Sequence, residues 1–165
     1  MKTLAVLLVS LPLCAQSAGT SAPIQTPSSA KPALPNWAGC GASFSDPGWA
    51  GWCALAIPAV VSQQIYSYTM YSVLPNGSKT PTITTTTGGA IIIRQFPLAG
   101  GTLNIIGLGT VGVAVSSTAT TGSFAGGGLA LWKAKAGWTF EVGGIQTKAG
   151  TINKPELIAG TGWTW

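Results

Sequence analysis

The chain has 165 residues, of which 46% are hydrophobic and only 7% are charged, and its mean hydropathy is +0.41. Soluble domains carry about 25% charged residues, so this composition argues against a surface that faces only water, and the length allows a single domain. The formal net charge of +5 comes without a run of basic residues or a basic aromatic patch, so nucleic-acid binding has no support.

The first segment, MKTLAVLLVSLPLCAQSAG, has a Lys at position 2, an apolar run and then small residues. This layout predicts a cleaved secretory signal peptide over residues 1–18, because the apolar run is shorter than the roughly 20 residues of a spanning helix. Residues 19–35 are rich in Pro, Ser and Ala, which predicts a flexible tether. The folded domain is then expected over residues 36–165.

From Asn36 onward, alternating residues are interrupted by turn residues, which divide the chain into eight segments. The segments are NWAGCGASFS, WAGWCALAIP, QQIYSYTMYSVL, PTITTTTGGAIIIRQF, GTLNIIGLGTVGVAVSS, SFAGGGLALWKA, GWTFEVGGIQT and PELIAGTGWTW. Most are 9 to 12 residues long, which is the length with which a tilted strand crosses a bilayer. Strands of soluble proteins average about 5 to 6 residues.

The connections between segments form two sets. Those after segments 1, 3, 5 and 7 are SDPGW, PNGSKT, STATTG and KAGTINK, and those after segments 2, 4 and 6 are AVVS, PLAG and KAG. We expect the shorter second set at a periplasmic end that also holds both termini, and the first set outside. Lys79, Lys148 and Lys154 fall in the outer set, where they either contact lipopolysaccharide phosphates or are simply solvated.

Face separation is clearest in segments 5, 7 and 8. One face is apolar, with Leu103, Ile105, Val111, Val113, Val115, Trp138, Phe140, Val142, Leu157, Ala159, Thr161, Trp163 and Trp165. The other face is mostly small or polar, with Asn104, Thr110, Gly112, Ala114, Thr139, Glu141, Gly143, Glu156, Ile158, Gly160, Gly162 and Thr164. A lipid-facing exterior around a filled interior gives this pattern. A soluble β-sandwich, the alternative, would place charges on its second face.

Aromatic residues concentrate near the segment ends, as in proteins whose Trp and Tyr lie at the two edges of a bilayer. The expected periplasmic rim consists of Trp37, Tyr66, Phe96, Trp132, Trp138, Trp163 and Trp165. The expected outer rim consists of Phe44, Trp49, Tyr71 and Phe124.

Together, the signal peptide, the eight alternating segments, the two aromatic rims and the terminal Trp165 resemble small outer-membrane β-barrels of Gram-negative bacteria, the OmpA, OmpX and opacity-protein class. The resemblance implies an all-β, eight-stranded, antiparallel up-and-down transmembrane barrel in the outer membrane, with a structural or surface-interaction role. It also implies contact with lipid and lipopolysaccharide, and recognition of the last strand, LIAGTGWTW, by the barrel-assembly machinery. The alternative function is that of a secreted soluble β-sandwich binding module.

Catalytic constellations are scarce in this sequence. The chain has no histidine, which excludes imidazole-based triads and His-based metal sites. Its acidic residues, Asp46, Glu141 and Glu156, lie on different segments or connections. We therefore expect no enzyme activity, no cofactor and no metal.

Eight strands enclose a space that side chains can just fill. The inward candidates Trp52, Tyr68, Leu108 and Ile158 are bulky, so we expect no wide aqueous pore. Charged candidates for the interior are Arg94, Lys133, Glu141 and Glu156. A confined carboxylate requires a partner, and Arg94 or Lys133 could pair with Glu141, or both could face headgroups and water at the rim.

Cys40 and Cys53 are the cysteines that remain after signal cleavage, and export would place them in an oxidising compartment. If Asp46 and Pro47 are the central residues of an SDPG turn, Cys40 lies directly opposite Cys53. A DPGW turn would make the two cysteines diagonal neighbours on one face. Both registers permit a disulfide, and two free thiols on the lipid-facing side are the alternative.

Overall fold

The computed structural model describes residues 35–165 except 47, 61, 63 and 75–80. The expected signal peptide and residues 19–34 of the expected tether lie outside the described residues. The strands are β1 (Trp37–Ser45), β2 (Gly48–Pro58), β3 (Ile65–Leu74), β4 (Thr82–Leu98), β5 (Gly101–Val115), β6 (Thr120–Ala134), β7 (Trp138–Ala149) and β8 (Ile152–Thr164).

These eight strands form one closed antiparallel barrel in which sequence neighbours pair and β8 closes on β1. The all-β, eight-stranded, up-and-down fold is thereby confirmed, and the β-sandwich is wrong because there is one closed sheet. We call the end where β1 begins and β8 ends the terminal end, and the other the opposite end. No stretch of the described chain forms a helix with the length and apolar character needed to cross a membrane.

The strands are steeply tilted, as closure of a barrel requires. Following paired residues once around the sheet from Gln95 leads back to the same strand at Thr84, near the opposite end. Residues at the same height on neighbouring strands are therefore diagonal neighbours, not direct partners.

The connections differ from the two expected sets, because strands continue into residues assigned to loops. Lys148 belongs to β7 and Lys154 to β8, so that hairpin is closed by Gly150 and Thr151 alone. Gly150 has φ 60° and Gly137, in the β6–β7 turn, has φ 100°, conformations that favour glycine. The connection between β2 and β3 spans residues 59–64, so the expected contrast of long and short connections is not found.

A β-bulge in β4 changes the face of every later residue of that strand. Ile92 pairs with Ile106 inside the barrel, whereas Arg94 pairs with Ile105 on the outward face, and Ile93 is the extra residue. Such an insertion reverses the alternation of the strand beyond it.

The barrel interior has two differently built halves. Near the terminal end, large side chains form what we call the aromatic layer, which consists of Trp37, Tyr66, Tyr68, Ile92, Ile106, Leu129 and Leu131. Toward the opposite end, buried Ser and Thr side chains form the hydroxyl layer, which consists of Ser43, Ser72, Thr84, Thr86, Thr110, Ser123 and Thr147. Both halves arise from the same inward positions of alternating strands.

Candidate functional site

The outward wall of the barrel is apolar over most of its height. Its exposed large side chains include Leu55, Ile57, Ile65, Ile83, Ile91, Ile93, Val111, Val113, Val115, Val142 and Leu157. A folded chain normally turns such side chains away from water, and exposed apolar patches of this extent mark contact with a membrane or with another protein.

Aromatic side chains border this wall near the opposite end. Phe44, Trp49, Tyr71 and Phe124 all point outward and are exposed, with Trp49 73% accessible. Phe44 and Trp49 pair directly across the β1–β2 hairpin. Lys148 places its ammonium 5.8 Å from the centre of the Phe124 ring, so a cation accompanies this rim.

A second aromatic border lies near the terminal end. It consists of the outward-pointing Phe96, Trp132, Trp138, Phe140, Trp163 and Trp165. Trp138 and Trp163 pair across β7 and β8 with their rings edge to face at 5.0 Å, and Trp132 stacks on Phe140 at 5.8 Å. Phe140 is on the apolar face, as the alternation predicts, but it is an unexpected rim residue because it lies one pleat inside the strand end.

Two expected rim residues are wrong, because Trp37 and Tyr66 point into the barrel and are each 3% exposed. Proximity to a strand end was the signal used, but alternation decides the face. Trp37 shares its face with Gly39, and Tyr66 shares its face with Tyr68 and Met70. That pattern was present in the sequence and could have identified both as interior residues.

Trp37 is the central side chain of the aromatic layer. Its ring stacks on Tyr68 at 6.3 Å, and its indole Nε1 donates a hydrogen bond of 2.8 Å to Thr139 Oγ1. Together with the bulky residues around it, Trp37 leaves a cavity of only about 20 Å³, which also borders on Glu141. The inward candidates Trp52, Tyr68, Leu108 and Ile158 are all buried. The terminal half of the barrel is therefore closed by packed side chains.

The hydroxyl layer is held together by side-chain hydrogen bonds across strands. Ser72 and Thr84 are joined at 2.6 Å, and Thr110 donates to Thr86 at 2.9 Å. Short hydroxyl side chains fill less volume than rings, and each bond satisfies a polar group that is removed from water. Beyond this layer, a vestibule of about 530 Å³ opens at the opposite end, with Thr121 and Ala149 in its wall.

Arg94 is not in the interior, because the bulge at Ile93 turns it to the outward face. Lys133 is half-buried on the inward face at the terminal end, where it pairs with Thr139. Neither carboxylate oxygen of Glu141 has a hydrogen-bond partner, so the expected ion pair with Arg94 or Lys133 is wrong. An inward Arg94 requires unbroken alternation along β4, and the bulge at Ile93 interrupts that alternation.

Glu141 and Glu156 both point into the barrel and are buried, at 5% and 3% exposure. Glu141 lies against the aromatic layer, where its neighbours are Trp37, Tyr66 and Tyr68. Glu156 lies in the other half, on β8 between neighbours of the hydroxyl layer. Like Glu141, it has two carboxylate oxygens without a hydrogen-bond partner.

Cys40 and Cys53 are directly paired in the β1–β2 ladder and are joined by a disulfide, with their Cα atoms 4.0 Å apart. The register is the one closed by Ser45 and Gly48, and the shifted DPGW register is not formed. Both cysteines are exposed on the outward face, where Cys53 pairs with Tyr71 of β3. The disulfide therefore belongs to the outward wall.

Among the described residues, no group of three or more His, Cys, Asp or Glu side chains could hold a metal ion. Asp46 lies in the β1–β2 turn at the opposite end, and Glu141 and Glu156 occupy different halves of the interior. The two buried carboxylates of the described chain, Glu141 and Glu156, are thus not brought together for acid and base chemistry.

No protein-family model and no curated protein matches the chain. Among solved structures, the chain is similar to Ail, the attachment invasion locus protein of Yersinia pestis, with 10% identity and a TM-score of 0.49 over 79% of this chain and 97% of that one. It is also similar to Neisserial surface protein A, with 12% identity and a TM-score of 0.49 over 79% of this chain and 94% of that one. Both likenesses are distant.

Proposed function

We propose that this chain is an integral outer-membrane β-barrel of a Gram-negative bacterium, with a structural or surface-interaction role, without enzyme activity and without a wide pore. The observation that carries this proposal is the apolar outward wall bordered by two aromatic rims. An apolar band between aromatic girdles around a more polar interior is the design of barrels that span a bilayer.

The orientation follows from the resemblance to small outer-membrane barrels, with the terminal end in the periplasm. Both ends of the barrel chain meet at this end, since the backbone N–H of Trp165 donates to the carbonyl of Asn36 at 3.1 Å. The alternating outward residues that lead to Trp165 supply the strand pattern that we expect the assembly machinery to bind. Lys148, beside Phe124 at the other rim, is suited to contact lipopolysaccharide phosphates.

Closure of the terminal half opposes solute passage. The aromatic layer leaves a cavity of about 20 Å³, which is the space of one water molecule. The vestibule widens the barrel at the opposite end but does not extend to the aromatic layer. A role at the surface is therefore favoured over transport.

The test is the behaviour of the purified mature protein in and out of detergent. We expect it to require detergent or lipid for solubility and to migrate anomalously on SDS gels until it is boiled. A protein that remains a folded monomer in plain buffer would contradict the proposal.

A pair of wall substitutions makes this test site-specific. Val142→Lys places a charge midway between the two rims and is expected to lower the free energy of unfolding in liposomes by about 2–4 kcal/mol. Thr120→Lys, on the same outward face at the opposite end, should cost about 0–1 kcal/mol. Equal costs at both positions would show that the wall does not face a bilayer.

A further inference from the structure

Four buried side chains in the opposite half of the barrel have oxygens without hydrogen-bond partners. They are Ser43, Ser123, Thr147 and Glu156, each at most 3% exposed. Buried polar groups in native proteins are almost always satisfied, so an unsatisfied set in one place points to a bound species. The set comprises one carboxylate and three hydroxyls, all buried and all without a hydrogen-bond partner.

The strand register brings these four side chains to one height of the barrel. Thr147 pairs with Lys154, two positions before Glu156, and Ser43 pairs with Ile158, two positions after it. Glu156 is therefore a diagonal neighbour of both, at a backbone separation of about 7–8 Å that inward side chains span. Ser123 continues the line on β6, because it pairs with Ala149, two positions after Thr147.

No described group donates a hydrogen bond to Glu156. Lys154 lies on the same face, two residues away, but its ammonium donates to the backbone carbonyl of Asp46 in the β1–β2 turn. Both oxygens of Glu156 remain without a hydrogen bond. A buried carboxylate of this kind is costly unless a cation or several donors compensate it.

The vestibule lies next to the cluster. The vestibule wall at the opposite end includes Thr121 and Ala149, which are two residues from Ser123 and Thr147 on the same inward faces. A hydrated ion entering from this end meets the cluster before it meets the packed aromatic layer.

We propose that Glu156, Ser43 and Thr147, with Ser123 alongside, form a site for a single alkali cation, for which Na⁺ is the probe. Carboxylate and hydroxyl oxygens are hard ligands, which suit alkali and alkaline-earth ions and not the metals that bind Cys or His. One carboxylate among neutral hydroxyls matches a single positive charge, whereas Ca²⁺ sites use more carboxylates. Because its ligands lie inside the barrel, this site would bind the ion whether or not the barrel spans a membrane.

The first test is thermal unfolding of the full mature barrel in detergent. We expect its midpoint to rise with NaCl and not with N-methylglucamine chloride at equal ionic strength, because only Na⁺ fits the cluster. Glu156→Gln should abolish the Na⁺-specific rise. Glu141→Gln is the matched control, since it changes the other buried carboxylate, which lies outside the hydroxyl cluster, and should retain the rise.

The second test locates the ion directly in the unmodified protein. Crystals grown with a thallium(I) salt in place of sodium should show one anomalous peak within about 3 Å of the Glu156 carboxylate. Ser43→Ala, which keeps the carboxylate and removes one ligand, should weaken both the peak and the Na⁺-specific rise. Absence of the peak, or a midpoint raised by CaCl₂ but not by NaCl, would overturn the proposal.

Discussion

The two halves of the barrel interior use the same inward positions for different purposes. In the aromatic layer, Trp37 and Tyr68 stack and leave almost no free volume. In the hydroxyl layer, Ser72, Thr84 and their neighbours are small and are joined by hydrogen bonds. Closure of the barrel therefore depends on ring packing at the terminal end, whereas the hydroxyl layer of the opposite half is a hydrogen-bonded set of small side chains next to a vestibule.

Each half also holds one buried carboxylate, and the surroundings of the two differ. Glu141 is placed among rings and aliphatic side chains, with one unsatisfied neighbour, the Tyr68 hydroxyl. Glu156 has unsatisfied hydroxyls as diagonal neighbours on both sides. The same residue type should therefore contribute to stability with opposite sign in the two halves.

The largest expected effect comes from Trp37→Ala. It removes the ring that stacks on Tyr68 and the hydrogen bond to Thr139, and it enlarges the cavity beside Glu141. We expect the free energy of unfolding to fall by about 3–5 kcal/mol, measured by urea titration in liposomes. The control is Trp163→Ala on the outward wall, which loses an edge-to-face contact and should cost about 0.5–1.5 kcal/mol. A larger loss at Trp163 would contradict the assignment of Trp37 to the packed layer.

A smaller effect of opposite sign is expected from Glu141→Leu. Replacing a buried carboxylate that has no hydrogen-bond partner with an apolar side chain of similar size should raise the free energy of unfolding by about 2 kcal/mol. Glu156→Leu, tested in NaCl, should lower it, because this change deletes the anionic ligand of the proposed cation site. The same sign for both variants would remove the distinction between the two carboxylates.

The smallest effect concerns single hydroxyls of the hydroxyl layer. Thr86→Val keeps the shape of the side chain but removes the hydroxyl that accepts from Thr110, which then keeps only its longer bond to the Ala125 carbonyl. We therefore expect a loss of about 1–2 kcal/mol in the same urea titration. Thr85→Val, on the neighbouring outward position, should change the free energy of unfolding by less than about 0.5 kcal/mol. If the two substitutions lower the free energy of unfolding equally, hydrogen bonds do not stabilise the hydroxyl layer.

Much of this architecture could be predicted from alternation and turn residues. The eight strands and both faces of β5, β7 and β8 follow from period-two patterning, because a buried interior fixes which residues point inward. Counting outward from an SDPG turn places Cys40 opposite Cys53, and the DPGW alternative keeps the two cysteines neighbours on one face, so both registers predicted their proximity. These features are local, so the sequence contains the information that decides them.

Other features depend on the assembled sheet. The bulge at Ile93 leaves no mark in an apolar run of three isoleucines, yet it turns Arg94 from the interior to the wall. The cluster around Glu156 joins β1, β6, β7 and β8, and its diagonal register depends on the tilt of the closed barrel. Trp37 and Tyr66 are a third case, because the alternation of β1 and β3 marks both as interior residues, whereas proximity to a strand end does not distinguish the two faces.

Quenching of tryptophan fluorescence by lipids brominated on their acyl chains tests most directly which side chains face lipid. Two single-tryptophan variants are needed, one retaining Trp163 on the outward wall and one retaining Trp52 inside, with the other indoles replaced by Phe. Trp52 is 3% exposed and its indole donates to the carbonyl of Ala42, whereas Trp163 is 41% exposed. We expect strong quenching of Trp163 and little quenching of Trp52 in the same vesicles. Equal quenching of both, or none of Trp163, would contradict it.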